Sequence, residues 1–126
     1  MSAIAACSRL RGRKAIEQLF IGGRSLNVPP LRVVFTTVPF MDQQHKATVF
    51  ASMSVSKKKF RKAVDRNLIR RRMREAFRRN NAALAGFYSN QRKYLYMMIQ
   101  FTGNEKTPYT QIEKTMIELI ERLTRQ

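Results

Sequence analysis

The chain has 126 residues, with 25 Lys plus Arg, 8 Asp plus Glu and one His, for a formal net charge of +17. A hydrophobic share of 44% excludes a disordered basic tail, and the length suits one small domain spanning residues 1–126 rather than two. So large a positive excess calls for a polyanionic partner, nucleic acid or an anionic membrane surface, and argues against a metabolic enzyme of small molecules.

Single Cys7 excludes an intramolecular disulfide framework and fits a reducing compartment. No run approaches the roughly 18 apolar residues of a membrane span. Met1–Cys7 lacks a basic segment ahead of its short apolar stretch, so no secretory signal is expected. The cytoplasm is the expected location, and residues 1–10 are expected to be flexible.

In chain order, Arg13–Phe20 places Ile16, Leu19 and Phe20 at helical spacing, and Gly22-Gly23 ends that short helix. A short strand is expected near Ser25–Asn27. Pro29-Pro30 precedes Leu31–Val38, whose β-branched residues predict a strand. Pro39–Lys46 is a polar connector. Ala47–Val55 alternates and predicts a second strand, paired to the first as a hairpin.

The basic segment follows. Lys57, Lys58, Lys59, Arg61, Lys62, Arg66, Arg70, Arg71, Arg72, Arg74, Arg78 and Arg79 face only Asp65 and Glu75, so most of the charge excess is local. From Ala63 to about Leu84 no Gly or Pro interrupts a helix-favouring composition, and Gly86 closes it. Tyr94–Phe101 is a nearly continuous apolar strand, as a buried sheet position requires. Thr110-x-x-Glu113 reads as a capping box for a last helix, with Ile112, Met116, Leu119, Ile120 and Leu123 as its core stripe. The fold class is α+β.

On a wheel of 100° per residue, Ile69, Met73, Ala76 and Phe77 form one arc of the basic helix. Arginines fill much of the rest, and Leu68 projects among them. Like charges at i,i+4 destabilise a helix, and phosphate reverses that term. Arg also suits bidentate phosphate contacts and stacking on bases. A membrane-surface helix needs a large apolar face, which here the sheet must claim. A DNA reader would come as a helix-turn-helix or a zipper, and neither pattern is present. RNA is therefore the better partner class.

Enzyme signatures are missing. No GxxxxGK[ST], GxGxxG or HExxH occurs, and His45 is the single imidazole, in a polar connector. One Cys and one His make no zinc site. Asp42, Asp65 and Glu75 are dispersed carboxylates. No protein catalytic residue and no protein metal site are expected.

Val55-Ser56-Lys57-Lys58, then Ala63-Val64-Asp65-Arg66-Asn67-Leu68-Ile69-Arg70-Arg71, then Arg74-Glu75-Ala76-Phe77 resemble the signature of the bacterial ribonuclease P protein subunit, roughly VSKK, a turn, and AVxRNRxKRxxRExF. The similarity covers about residues 9–124, and residues 54–77 are its specific part. It implies an α/β sandwich resembling one domain of elongation factor G. That sandwich is a small mixed four-stranded sheet with three helices in the order α-β-β-β-α-β-α, with a left-handed β-α-β crossover.

In that family an RNA subunit with bound magnesium removes the 5′ leader of precursor tRNA. The resemblance implies that Arg66, Asn67, Arg70 and Arg71, with Arg74 beyond, bind ribonuclease P RNA. Arg13, Phe20, Phe35, Lys57 and Lys58 correspond to positions that hold the leader in a cleft between the first helix and the sheet. Implied partners are ribonuclease P RNA and precursor tRNA, with no membrane and no stable protein partner. Three departures stand out: Leu68 replaces the third residue of the RNR triplet, Lys59–Lys62 is one residue longer and lacks Gly, and Ile16 stands where an aromatic is usual. The other readings are a ribosomal-type RNA-binding protein and a basic membrane-surface protein.

Overall fold

The computed structural model describes residues 7–9, 17, 21–39 and 47–125. Of the expected first helix, Glu17 is described and helical, as are Ile21 and Gly22 after it, while Arg13, Ile16 and Phe20, and most of the polar connector with Asp42 and His45, lie outside the described residues. Strands β1 (Cys7–Arg9), β2 (Arg24–Val28), β3 (Leu31–Pro39) and β4 (Val49–Val55) come first. Helices α1 (Ala63–Asn80) and α2 (Ala82–Asn90), strand β5 (Lys93–Phe101) and helix α3 (Tyr109–Leu123) complete the chain. The fold is α+β, with one mixed sheet in the order β1-β4-β5-β3-β2. Four strands form its body. The three-residue β1 is added at one edge, parallel to β4, within a stretch expected to be flexible.

The strand expectations hold, but the pairing differs. Leu31–Val38 and Ala47–Val55 are not a hairpin: β5 lies between them, antiparallel to β3 and parallel to β4. Alternation identifies a strand and its faces, and it carries nothing about which strand lies alongside. A central position explains the apolar run of β5, because it is flanked by β3 and β4 and has buried residues on both faces. Leu95, Met97, Ile99 and Phe101 enter the main core, while Met98 packs with Val34 on the other face.

The helices described cover one face of this sheet. Ile69, Met73, Ala76 and Phe77 of α1 are all buried, as the wheel predicts. Leu84, Ala85 and Tyr88 of α2 join them, and α3 contributes Ile112, Met116, Leu119, Ile120 and Leu123. The Tyr88 hydroxyl donates to the Leu123 carbonyl at 3.1 Å, tying α2 to the end of α3. Burial raises the Tyr88 phenol above its ordinary range.

Two helix boundaries depart from expectation. The basic helix stops at Asn80, and Gly86 lies inside α2 rather than closing α1. Asn80 Nδ2 donates to the Ala76 carbonyl at 2.7 Å, a side chain competing with the backbone ladder. The capping box does not form, because Pro108 occupies the N-cap and Thr110 already lies within α3. Glu113 instead accepts from the Tyr109 hydroxyl at 3.1 Å and from Asn80 Nδ2 at 3.2 Å, joining α3 to the end of α1.

Candidate nucleic-acid interface

The basic residues of α1 divide by position. Asn67, Arg71, Arg74 and Arg78 recur at i, i+4, i+7 and i+11, and all four are exposed on the side away from the buried arc. Successive members rise by about 6, 4.5 and 6 Å along the axis, so they form one longitudinal strip. Arg71 and Arg74 make no ion pair or hydrogen bond among the described residues. Arg78 is tied to Glu75 by two bonds, Nε to Oε1 at 2.9 Å and Nη2 to Oε2 at 2.7 Å. That pairing holds the Glu75 carboxyl below its ordinary range, the hydrogen bond from Arg78 being the main cause.

The flanks of the helix are held by the protein itself. Arg66 Nη1 donates to the carbonyls of Phe60 and Arg61, both at 2.9 Å. Arg70 Nη2 donates to Asn67 Oδ1. On the opposite flank Arg72 Nη1 donates to the Thr107 carbonyl at 2.6 Å, and Asp65 pairs with Lys106 at 3.1 Å. These two contacts fix the loop between β5 and α3 against α1. Lys59, in the turn before α1, also holds that loop, its ammonium donating to the Thr102 carbonyl at 2.7 Å.

Lys57 and Lys58 are exposed in the turn after β4, which Phe60 anchors. Phe60 is 7% exposed and packs at 5.9 Å from the Phe101 ring, and its amide donates to the Ser56 carbonyl at 3.1 Å. The longer turn without Gly is therefore built by a buried aromatic plug, with the Arg66 guanidinium closing two of its carbonyls.

Phe35 corrects the expected leader set. It is 1% exposed and lies in the main core on the helix-covered face, with the Arg24 guanidinium 5.1 Å from its ring centroid. A base cannot reach it. The residues that sequence reasoning missed are on the other face of the sheet. Phe50 stacks on Tyr96 at 5.3 Å and 24°, and meets the edge of Tyr94 at 6.2 Å and 71°. Tyr94 and Tyr96 stand two residues apart on the one strand, so alternation puts them on one face. Tyr94 is 5% exposed and supports the stack from below, so the half-buried Phe50 and Tyr96 are the rings of this face that reach the surface. Ser52 and Ser54 continue this face toward Lys57 and Lys58, about 20 Å of strand from Phe50 to the turn.

Among the described residues no group of three or more His, Cys, Asp or Glu could hold a metal ion. No helix described is long and apolar enough to cross a membrane. The arrangement therefore offers cations, amides and aromatic rings, the means of binding a polyanion.

A family model described as Ribonuclease P matches residues 4–124. The chain is 32% identical over 117 residues to the ribonuclease P protein component of Porphyromonas gingivalis, covering 91% of this chain and 82% of that one. It is 37% identical over 68 residues to the ribonuclease P protein component of Chlorobaculum tepidum, covering 54% of this chain and 44% of that one. Among solved structures it resembles the RNase P protein from Thermotoga maritima, with TM-score 0.68, 24% identity and coverage of 90% and 96% of the two chains. The Staphylococcus aureus RNase P protein gives TM-score 0.63 at 18% identity, with coverage of 93% and 94%. At these identities the structures establish a common fold.

Proposed function

The chain belongs to the ribonuclease P protein family, and from that premise we propose that it is the protein subunit of a ribonucleoprotein that removes the 5′ leader of precursor tRNA. Family membership supports a role in an endoribonuclease complex. The finer reading rests on one observation above all: Asn67, Arg71 and Arg74 form an exposed strip on a helix whose flanking cations are already engaged by the protein. Such a strip meets a phosphate backbone without first breaking internal contacts, and binding releases the counterions the arginines and phosphates hold.

In this reading ribonuclease P RNA docks along α1, and the catalytic step belongs to that RNA. Magnesium goes with it, since the carboxylates described here are dispersed and mostly paired: Asp65 with Lys106, Glu75 with Arg78, and Glu113 with Tyr109 and Asn80. The single-stranded leader lies across the sheet face that carries the half-buried Phe50 and Tyr96. Stacking on rings is tolerant of sequence, which suits leaders that differ between precursors, and contributes about 1–3 kcal/mol per base. Lys57 and Lys58 take leader phosphates at the far end of that face. The cytoplasm is the matching location.

The test is reconstitution. The purified chain is added to its cognate ribonuclease P RNA at low magnesium, and 5′ processing of a precursor tRNA is followed. Stimulation of processing is expected. Absence of stimulation with an RNA that is active alone at high magnesium overturns the reading and leaves a ribosomal-type RNA-binding protein.

A further inference from the structure

Leu68 and Val64 are the two side chains of α1 that neither the core nor the basic strip accounts for. Val64 is 70% exposed, well above the 39% of Ile117 on α3. It stands four residues before the half-buried Leu68, so the two side chains are neighbours on the helix surface. On one side of this pair runs the strip of Asn67, Arg71 and Arg74. On the other lie Asp65, closed by Lys106, and Arg72, closed by the Thr107 carbonyl. Arg72 is thus directed to the loop between β5 and α3 rather than to the strip.

A β-branched residue at an exposed helical position is a poor helix former, and it does not pack on the sheet here. The strip beside it presents cations on an accessible face, which suits a polyanion. We propose that Val64 and Leu68 form an apolar subsite that takes the ribose or the open base face of one nucleotide of the RNA bound along α1. This rests on the reading that α1 binds ribonuclease P RNA. The subsite exchanges one ion contact for a contact that salt does not screen. A phosphate cannot occupy it, because nothing there donates. A sugar or a base can, and its backbone phosphates then fall toward Arg71 on the strip.

Salt separates the two kinds of contact. A cation on a phosphate contributes to the slope of log affinity against log salt, by about 0.7–0.9 per phosphate neutralised. An apolar contact shifts affinity by the same factor at every salt concentration. Affinity of the full chain for its cognate ribonuclease P RNA is measured from 50 to 400 mM monovalent salt for the wild type, Val64→Ser, Val64→Leu and Arg71→Ala. Val64→Ser is expected to weaken binding about fivefold at all concentrations with the slope unchanged, and Val64→Leu to bind as the wild type. Arg71→Ala is expected to flatten the slope. Unchanged affinity in Val64→Ser, with Arg71→Ala still flattening the slope, overturns the apolar subsite and leaves RNA binding by α1 standing. If Arg71→Ala changes neither slope nor affinity, the reading of α1 itself fails. At 70% exposure Val64 tolerates serine without loss of the fold, which the circular dichroism of each variant checks.

Discussion

Arg66 and Phe60 are joined by a single hydrogen bond that decides what Arg66 can do: Nη1 donates at 2.9 Å to the Phe60 carbonyl, and the same nitrogen reaches the Arg61 carbonyl. An arginine in the middle of the family signature is thereby turned inward, onto the turn that carries Lys57 and Lys58. Arg66→Ala is expected to speed amide exchange in residues 56–61 and to cost about 1–2 kcal/mol of stability. Because its guanidinium is directed onto the turn and away from the exposed strip, the salt slope of RNA binding should change by well under one. A slope that falls by a full unit with the turn intact would assign Arg66 to a phosphate instead.

Arg71 and Arg74 are the opposite case. Both are exposed and make no ion pair among the described residues. The double variant Arg71→Ala/Arg74→Ala should leave the melting temperature unchanged and flatten the salt slope by about 1.4–1.8. Filter binding across a salt series measures both quantities on one preparation.

Phe35 and the Phe50–Tyr96 stack separate the core from the face proposed for the leader. Phe35→Ala empties a site that is 1% exposed and should cost about 3–5 kcal/mol by denaturant unfolding. Phe50→Ala with Tyr96→Ala should leave most of the stability in place. It should reduce the preference for precursor over mature tRNA by about 1–3 kcal/mol per base that loses its ring. Equal loss for both RNAs would remove the leader from this face.

Glu75 restrains Arg78 through two hydrogen bonds. Glu75→Gln should release that guanidinium to the strip, raise RNA affinity and steepen the salt slope by up to about one. Its carboxyl is depressed in the folded chain, so the pair's contribution is present above the ordinary value of 4.5 and is lost as pH falls through the lower folded value. At neutral pH the restraint is complete. Acidification should steepen the slope only below that range, and the Gln variant should show no such change.

Much of the local structure was legible in the residues. The strands Leu31–Pro39, Val49–Val55 and Lys93–Phe101 follow from β-branched and apolar runs, and the buried arc of α1 follows from helical spacing. The break at Asn80-Asn81 was not, because the residues up to Leu84 favour helix and the competing bond to the Ala76 carbonyl forms only once the side chain turns back. Cross-chain contacts escaped for the same reason. Nothing near Arg72 announces Thr107, and nothing near Glu113 announces Asn80, since each pair is more than thirty residues apart.

Sequence alone determined the family, the basic helix with its buried stripe, and the concentration of charge between Lys57 and Arg79, because periodicity, composition and motif are properties of neighbouring residues. Tertiary structure decided the rest. It placed β5 between β3 and β4, and that set which sheet face the helices cover, burying Phe35 and leaving Phe50 with Tyr94 and Tyr96 on the other side. Val34 and Phe35 are both apolar, so alternation told them apart without saying which one faced the core. It also sorted the arginines. Arg66 and Arg72 are spent on carbonyls from the 56–61 turn and the β5–α3 loop, Arg78 is held by Glu75, and Arg71 and Arg74 are left facing outward. A charge count cannot make that distinction, because whether a cation is engaged depends on what the folded chain brings within hydrogen-bond reach of it.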